Sequence, residues 1–249
     1  RACLNENGGG AAALTVKRGS RTLTLEASPQ RDESGEYRLG AWVRDSMAGI
    51  GTMTFYDPQS GTFGALGHGV TDVDTGKLLP LDHGSIMNAS VKAVKKGEHG
   101  APGELKGDFD FARDSGTLYA NTESGIFGKL SAQDAAALGG KAYSIAARDE
   151  VKTGSATILA TVNGNETKEY AIEIEKVYPA SGASRNLLLR VTDEALLEKT
   201  GGVVQGMSGS AILQNGKLIG AVTHVLLDDS SRGYGIFIEN MLDAAGLSY

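Results

Sequence analysis

The sequence has very little cysteine: Cys3 is the only one among 249 residues. No disulfide can therefore form within the chain, and its stability must come from packing. No apolar run approaches the roughly 18 residues that a membrane-spanning helix needs. The opening segment RACLNENGGG also lacks the hydrophobic stretch of a signal peptide. Because the chain starts at arginine, we expect a processed fragment whose anchor or export signal lies outside this sequence.

Positive charge is also scarce. Lysine and arginine number 24 against 30 aspartates and glutamates, which gives a net charge of −6. No run of five like charges occurs, so nothing in the sequence provides a general attraction to phosphate backbones or anionic lipid. Nucleic acid is therefore not an expected partner.

Glycine, in contrast, is abundant, with 35 residues, about twice the usual share. Alternating apolar and polar residues flank turn signals in LTVKRGSRTLTLEASP (14–29) and ATILATVNGNETKEYAIEIEKVY (156–178), which predicts two hairpins. A second β-rich stretch is predicted from Trp42 onward, with strands around 48–57 and 62–70. Further strands are predicted around 210–214, 217–226 and 233–238. Short helices are predicted only at 131–140, at 192–202 and in IENMLDAAG near the C-terminus. Crossover helices are thus too few for a parallel sheet, and we predict a mainly antiparallel β fold.

Two further segments bear on domain organisation. The polar stretch QRDESGE (30–36) is the best candidate for a linker. Residues 84–125 are rich in glycine and mixed in character, so their pattern favours neither strands nor helices.

The segment Gly206-Met207-Ser208-Gly209-Ser210 is a candidate nucleophile turn. A serine hydroxyl attacks a carbonyl only when a base takes its proton and N–H donors receive the developing negative charge. A bend at this glycine-rich segment could aim the N–H groups of Gly206 and Ser208 at one point, which is the geometry of an oxyanion hole. The nucleophile elbow of α/β-hydrolases is disfavoured, because Ser210 replaces the required glycine and a hairpin follows instead of a helix. The alternative is a glycine-rich turn without chemistry.

A base must come from one of four histidines. His68 lies between Gly67 and Gly69 at the predicted end of a strand, about 140 residues before Ser208, in the order that barrel peptidases use. We predict that His68 is the general base, and the alternative is an ordinary turn histidine. His224 falls within a strand and is expected to be packed or to line the substrate. The other two, His83 and His99, are expected at the surface.

Spacing does not single out the acid that would orient the histidine. Five aspartates qualify on composition: Asp72, Asp74, Asp108, Asp110 and Asp193. The last of these also has a simpler explanation as a helix cap. The segment DVDTG (72–76) is similar to half a calcium loop, but the remaining ligand spacing fails, so a tight turn is the better interpretation.

Two long blocks of sequence carry a resemblance to a known family. They are YRLGAWVRDSMAGIGTMTFYDPQSGTFGALGHGVTDVDTGK (37–77) and VTDEALLEKTGGVVQGMSGSAILQNGKLIGAVTHV (191–225). Both closely resemble the stage IV sporulation protein B (SpoIVB) serine peptidases of spore-forming bacteria, and the similarity covers residues 37–245. One departure is Ala211, which stands where the family usually has proline.

The resemblance implies a fold and a set of site residues. The implied fold is a chymotrypsin-like double β-barrel peptidase with a few short helices over residues 37–249. Residues 1–36 would be the C-terminal remnant of a PDZ domain and a linker. The family's serine matches Ser208, its histidine matches His68, and its acid matches Asp193. Substrate is expected to lie along the strand residues Ala221, Val222, Thr223 and His224. No cofactor and no metal are expected.

The resemblance also implies a role in sporulation signalling. Family members are exported into the space between the forespore and mother-cell membranes, cleave themselves, and cut a regulator of a membrane-embedded metalloprotease. Two other functions remain open for this chain. One is a catalytically weak peptide-binding module on a peptidase fold, and the other is a metal-dependent hydrolase that uses His68 with Asp72 or Asp74.

Overall fold

The computed structural model describes residues 2–41, 47–179 and 184–249. The chain divides into two compact units, Arg1–Ala48 and Gly49–Tyr249. The β-rich stretch that the sequence predicts from Trp42 onward begins outside the described residues. Its later part, from residue 47, is described below.

The first unit consists of one short helix and two small antiparallel ladders. Strands β1 and β2 form the hairpin that the sequence predicts over residues 14–29, turning at Gly19 with φ +60°. Strands β3 and β4 make a second ladder of two residues each, so the predicted linker includes one short strand. The elements are α1 (Ala2–Glu6), β1 (Ala12–Arg18), β2 (Arg21–Ala27), β3 (Gln30–Arg31) and β4 (Tyr37–Arg38).

The second unit begins with an open sheet. The strands of this part of the unit are β5 (Met53–Asp57), β6 (Thr62–Ala65), β7 (Ser85–Ile86), β8 (Ala89–Lys95), β9 (Glu104–Phe109), β10 (Gly116–Thr122) and β11 (Gly125–Leu130). Five of them form an antiparallel sheet in the order β5-β6-β11-β10-β7, while β8 and β9 pair as a separate hairpin. The segment 84–125, which the sequence left unassigned, thus contains strands throughout.

The rest of the second unit forms a closed barrel. Its elements are α2 (Ala132–Ala137), β12 (Gly154–Thr161), β13 (Thr167–Val177), β14 (Leu187–Val191), α3 (Glu194–Thr200), β15 (Ala211–Gln214), β16 (Lys217–Leu226), β17 (Asp229–Phe237) and α4 (Ile238–Ala245). The barrel runs β12-β13-β14-β17-β16-β15. The predicted hairpin across Asn-Gly-Asn is confirmed as β12 and β13, and the three predicted short helices are confirmed as α2, α3 and α4.

Two strands of the barrel, β12 and β14, show the alternation of a sheet that buries one face. In β12 and β14 every second residue is buried, as expected when successive side chains point to opposite faces of a sheet. The inward residues are branched aliphatics that fill a continuous core. Those with no more than 1% exposure include Ile158, Ile174, Leu187, Leu189, Ile212 and Ile219.

The predicted double barrel is therefore confirmed in part. The C-terminal barrel is closed, whereas the N-terminal lobe is a five-stranded half-barrel in the described residues. Its edge strand β7 pairs with β10 over only two residues, at Ser85 and Ile86. Barrel closure requires strands long enough to tilt and stagger around an axis, and a two-residue strand cannot do this. Within the described ranges, no helix combines the length and hydropathy needed to cross a bilayer.

Candidate active site

The loop that carries Ser208 enters the barrel strand β15 and requires glycine on both sides of the serine. Gly206 and Gly209 have φ +99° and +94°, a region that residues with a Cβ rarely adopt. A Cβ on Gly209 would lie 1.9 Å from the carbonyl oxygen of Thr52. Glycine is therefore needed at position 209 because the main chain of Thr52 approaches the Ser208 loop closely there.

Three hydrogen bonds attach this loop to the start of the half-barrel. The Thr52 N–H donates to the Ser208 carbonyl at 2.9 Å, and the Thr52 hydroxyl donates to the Gly206 carbonyl at 3.0 Å. The buried Thr54 hydroxyl donates to the Gly209 carbonyl at 2.8 Å. The N-terminal lobe therefore fixes the position of a loop that belongs to the barrel. Sequence reasoning missed Thr52 and Thr54, because a threonine next to a strand carries no signal of such a role.

From Gln205 to Gly209, main-chain N–H groups that donate a hydrogen bond alternate with N–H groups that donate none to a described residue. The N–H groups of Gln205, Met207, Gly209 and Ser210 each donate to a main-chain carbonyl. The N–H groups of Gly206 and Ser208 donate to no acceptor among the described residues. These are the two donors that the sequence predicts for the oxyanion hole.

A tight turn after β6 places His68 against the barrel. Leu66 and Gly67 both have φ +69°, and a Cβ on Gly67 would lie 2.9 Å from the Thr223 Cγ2 of β16. His68 Nδ1 lies 2.9 Å from the carbonyl oxygen of Gly69. Because a carbonyl only accepts, Nδ1 carries the hydrogen, and the lone pair of His68 is on Nε2.

His68 and Ser208 both contact the same short segment of β16. The ring of His68 lies 5.0 Å from the ring of His224, centroid to centroid, at an interplanar angle of 39°. The hydroxyl of Ser208 donates to the carbonyl of Thr223 at 2.9 Å. Two residues 140 positions apart thus contact two consecutive residues of β16, Thr223 and His224. In the part of the chain that the structure describes, no hydrogen bond joins Ser208 to His68.

His224 lies in an environment that disfavours its charged form. Burial, with smaller contributions from His68 and Arg185, lowers the pKa of His224 from 6.5 to about 4. Its Nδ1 is buried without a hydrogen-bond partner among the described residues. The imidazole of His224 is therefore neutral near pH 7 and places no positive charge beside His68.

Asp193, the acid expected from the resemblance, is the N-cap of α3. Its carboxylate accepts from the Leu196 N–H at 3.0 Å and from the Ala171 N–H of β13 at 3.4 Å. The structure therefore shows the capping role that the sequence also predicts. No hydrogen bond between Asp193 and His68 occurs among the described residues.

The other aspartates considered from the sequence lie in local turns or on the surface. Asp72 accepts from the N–H groups of Asp74 and Thr75, which is the predicted tight turn. Asp108 is exposed and forms an ion pair with Lys92 at 3.8 Å. Asp110 accepts from the Ala112 N–H just beyond β9.

The two remaining histidines are exposed, as the sequence predicts. His83 contacts Asp82, and His99 contacts the Asp228 carbonyl. Among the described residues there is no group of three or more histidine, cysteine, aspartate or glutamate side chains that could hold a metal ion.

The four residues predicted to line the substrate divide into two pairs. Ala221 and Val222 are fully buried, and their main chains pair on both sides within the barrel. Thr223 and His224 lie beyond the end of β15, where β16 pairs only with β17 among the described strands. Thr223 is nonetheless buried, at 2% exposure, and its hydroxyl donates to the Ser184 carbonyl at 3.0 Å, whereas His224 is half-buried. An incoming extended segment therefore has access to β16 only from His224 onward.

Two surface cavities, of about 280 and 320 Å³, lie elsewhere on the second unit. One is lined by residues from β12, β13 and β15, and the other by residues around the end of the β8–β9 hairpin. Neither is lined by Ser208, His68 or His224.

Comparison with known proteins identifies a family. The model of the family described as SpoIVB peptidase S55 matches residues 35–242. No curated protein matches the chain.

Solved structures similar to this chain include two forms of the Rv3671c protease. The inactive form is 18% identical over 55% of this chain and 70% of its own, with a TM-score of 0.39. The active form, from M. tuberculosis, is 14% identical over 84% of this chain and 96% of its own, also with a TM-score of 0.39.

Proposed function

Because the chain belongs to the SpoIVB peptidase S55 family, it is a serine peptidase, and we propose that Ser208 is its nucleophile and His68 its general base. The Ser208 hydroxyl oxygen attacks the scissile carbonyl carbon while Nε2 of His68 takes the hydroxyl proton. His68 then gives that proton to the leaving amine. A water molecule repeats the sequence on the acyl-enzyme and releases Ser208.

The observation that carries the proposal is the pattern of N–H groups around Ser208. Within 205–210, the donors that lack an acceptor among the described residues are those of Gly206 and Ser208. Two free donors that flank a nucleophile can receive the negative charge of a tetrahedral intermediate. Each such donor is typically worth about 10²- to 10³-fold in rate.

Asp193 completes the proposal as the residue that orients His68. This assignment is supported by the family resemblance of the segment that contains it. In the structure Asp193 caps α3, and the Nδ1 hydrogen of His68 is directed at the Gly69 carbonyl. The orienting role is therefore the part of the mechanism that most needs its own experiment.

We further propose that the peptidase acts in sporulation signalling. By analogy with the family it would be exported to the space between the forespore and mother-cell membranes, cleave itself, and cleave a protein regulator of a membrane-embedded metalloprotease. The hairpin of β1 and β2 would be the remnant of a PDZ domain. The substrate would bind as an extended segment along β16 from His224 onward, adding main-chain hydrogen bonds to a strand edge.

A serine-directed fluorophosphonate probe tests the proposed chemistry. We expect labelling at Ser208, no labelling of Ser208→Ala, and strongly reduced labelling of His68→Ala. His83→Ala is the matched control, because His83 is exposed and its ring contacts only the neighbouring Asp82 among the hydrogen bonds and ion pairs of the described residues. Its labelling should equal that of the wild type. Equal labelling of His68→Ala and His83→Ala would show that His68 is not the base.

Probe labelling, peptide binding and sensitivity to a chelator together distinguish the two alternatives. A peptide-binding module without catalysis would give no label on Ser208 in any variant while still binding an extended peptide. A metal-dependent hydrolase would lose its peptidase activity in a chelator and would not depend on Ser208. The Ser208–Thr223 hydrogen bond is the feature that favours testing the first alternative, since it directs the hydroxyl away from His68.

A further inference from the structure

The imidazole of His68, in the turn after β6, contacts the imidazole of His224 on β16. The proposed peptidase mechanism uses only one of these two side chains. His68 is the proposed base, whereas His224 has no role in proton transfer. Their ring centroids are 5.0 Å apart. We propose that His68 and His224 together bind a divalent transition-metal ion such as Zn²⁺, and that the bound ion reversibly inhibits the peptidase.

The ring separation matches that of two imidazoles on one metal ion. With a zinc–nitrogen bond of about 2.0–2.1 Å, the centroid of each ring lies about 3.2 Å from the metal. At a tetrahedral angle the two centroids are then about 5 Å apart. The observed 5.0 Å matches this separation, and the interplanar angle of 39° is compatible with two rings bound to one ion. Binding requires in addition that the χ angles of the two side chains direct both Nε2 atoms at the ion.

The nitrogens that remain available are the same on both rings. His68 donates from Nδ1 to the Gly69 carbonyl, which leaves its Nε2 as the ligand atom. A ligating histidine typically has this arrangement, with its other N–H held by a carbonyl or carboxylate. In His224 the Nδ1 atom is buried, whereas Nε2 is not among the buried unpartnered atoms. Neither Nε2 has a hydrogen bond to a described residue, so both can reach an ion from solvent.

The ligand type selects the class of metal. Neutral imidazole nitrogens suit Zn²⁺, Cu²⁺ and Ni²⁺, whereas Mg²⁺ and Ca²⁺ require oxygen ligands. The described residues offer no third histidine, cysteine or carboxylate around the pair, so water would occupy the remaining positions. Such a site binds more weakly than a structural one and exchanges its metal readily.

Metal binding and base catalysis exclude each other at His68. Both need the Nε2 lone pair, so a bound ion prevents His68 from taking the Ser208 proton. The inhibition rests on the proposed function, but the binding of metal does not. The chelator response therefore differs from that of a metal-dependent hydrolase: a chelator restores this peptidase instead of abolishing its activity.

The binding test uses the full chain with Ser208→Ala to prevent self-cleavage and with Cys3→Ser to remove the thiol as a competing ligand. Titration with Zn²⁺ by calorimetry, and with Co²⁺ by visible absorption, should show one site per chain. Replacing His224 by phenylalanine, and separately by glutamine, should weaken binding by more than the roughly 10- to 100-fold cost of losing an outer-shell partner. His83→Ala should leave binding unchanged, and circular dichroism confirms that each variant is folded.

The activity test uses the chain with Ser208 intact. Zn²⁺ should inhibit cleavage, EDTA should restore it, and Mg²⁺ at the same concentration should have no effect. In a His224 variant that retains activity, the inhibitory Zn²⁺ concentration, measured against that variant's own uninhibited rate, should rise by at least about tenfold. The proposal is overturned if folded His224 variants bind Zn²⁺ as tightly as the parent, or if His83→Ala weakens binding equally. Absence of peptidase activity in the parent chain with Ser208 intact would refute the proposed function and leave the binding result to stand alone.

Discussion

Ser208 donates its hydroxyl hydrogen to the carbonyl oxygen of Thr223, at 2.9 Å. A carbonyl cannot serve as the base for acyl transfer, so in the proposed mechanism the hydroxyl must turn toward Nε2 of His68 before attack. Catalytic hydrogen bonds often tighten only when substrate is bound. We therefore expect substrate binding to release the Ser208 hydroxyl from its bond to Thr223.

The first prediction separates the two contributions of Ser208. Removing its hydroxyl should lower the free energy of unfolding by only about 1 kcal/mol, since a single hydrogen bond is lost. It should reduce kcat by on the order of 10⁶-fold, because no nucleophile remains. Urea unfolding and peptide cleavage by Ser208→Ala measure the two effects. A fully active Ser208→Ala variant would remove Ser208 from the mechanism.

The second prediction concerns Asp193, whose two roles respond differently to asparagine. Asparagine caps a helix about as well as aspartate, so Asp193→Asn should unfold at nearly the wild-type urea concentration. If Asp193 orients His68, kcat should fall on the order of 10⁴-fold, because the amide no longer favours the correct tautomer. Asp193→Ala should in addition cost about 1 kcal/mol of stability. An Asp193→Asn enzyme with normal kcat would show that Asp193 only caps α3.

The third prediction compares two glycines that both have positive φ. At Gly209 a Cβ would lie 1.9 Å from the Thr52 carbonyl, whereas at Gly216, with φ +75°, nothing lies within 4 Å. Gly216→Ala should cost about 1–2 kcal/mol for its left-handed backbone alone. Gly209→Ala should cost substantially more and displace the oxyanion donors, so its activity should be lost. Thermal unfolding and cleavage rates provide the comparison, and equal losses in the two variants would contradict it.

The fourth prediction tests how the half-barrel holds the Ser208 loop. Thr54→Val keeps the shape of the side chain but leaves the Gly209 carbonyl without its donor. We expect a loss of about 1–3 kcal/mol in stability, and up to about a 10²-fold loss in kcat as the loop shifts. Thr54→Ser retains the hydroxyl and is the matched control. A kcat for Thr54→Val equal to that of Thr54→Ser would mean that this bond does not position the loop.

The fifth prediction follows from the pKa of His224, which is lowered to about 4 in the folded protein. Between pH 6.5 and 4 the unfolded chain binds a proton that the folded chain does not, so stability falls as the pH falls through this range. The full shift corresponds to roughly 3 kcal/mol. Because the ring of His224 is only partly shielded from solvent, the expected contribution is about 1–2 kcal/mol.

The measurement for this fifth prediction is urea unfolding of the wild type and of His224→Gln at several pH values. The difference between the two proteins isolates His224 from the carboxylates that also titrate in this range. The wild type should lose more stability than His224→Gln as the pH falls from 6.5 to 4. Parallel curves for the two proteins would contradict the prediction.

The barrel and its nucleophile loop were predictable because their signals are local. Alternation in β12 and β13 and the glycine pattern around Ser208 each lie within one short segment. The hydrogen bonds from Thr52 and Thr54, in contrast, join residues about 155 positions apart in the sequence. No local pattern encodes such a contact. Of the half-barrel, β5 and β6 fall in stretches that the sequence predicts as strands, whereas β7 and β10 lie in the glycine-rich segment 84–125. Those two strands were beyond prediction, since the segment shows no regular alternation and β7 contributes only two residues. The pairing of His68 with His224 depends on the turn at Leu66 and Gly67, whose backbone conformation no residue pattern specified.

The hydrogen bonds from Thr52 and Thr54 to the Ser208 loop join the half-barrel to the barrel. In the proposed mechanism, a partner that moved the start of β5 away from the barrel would break these bonds without approaching the scissile bond. We expect cleavage to stop while such a partner is bound and to resume when it dissociates.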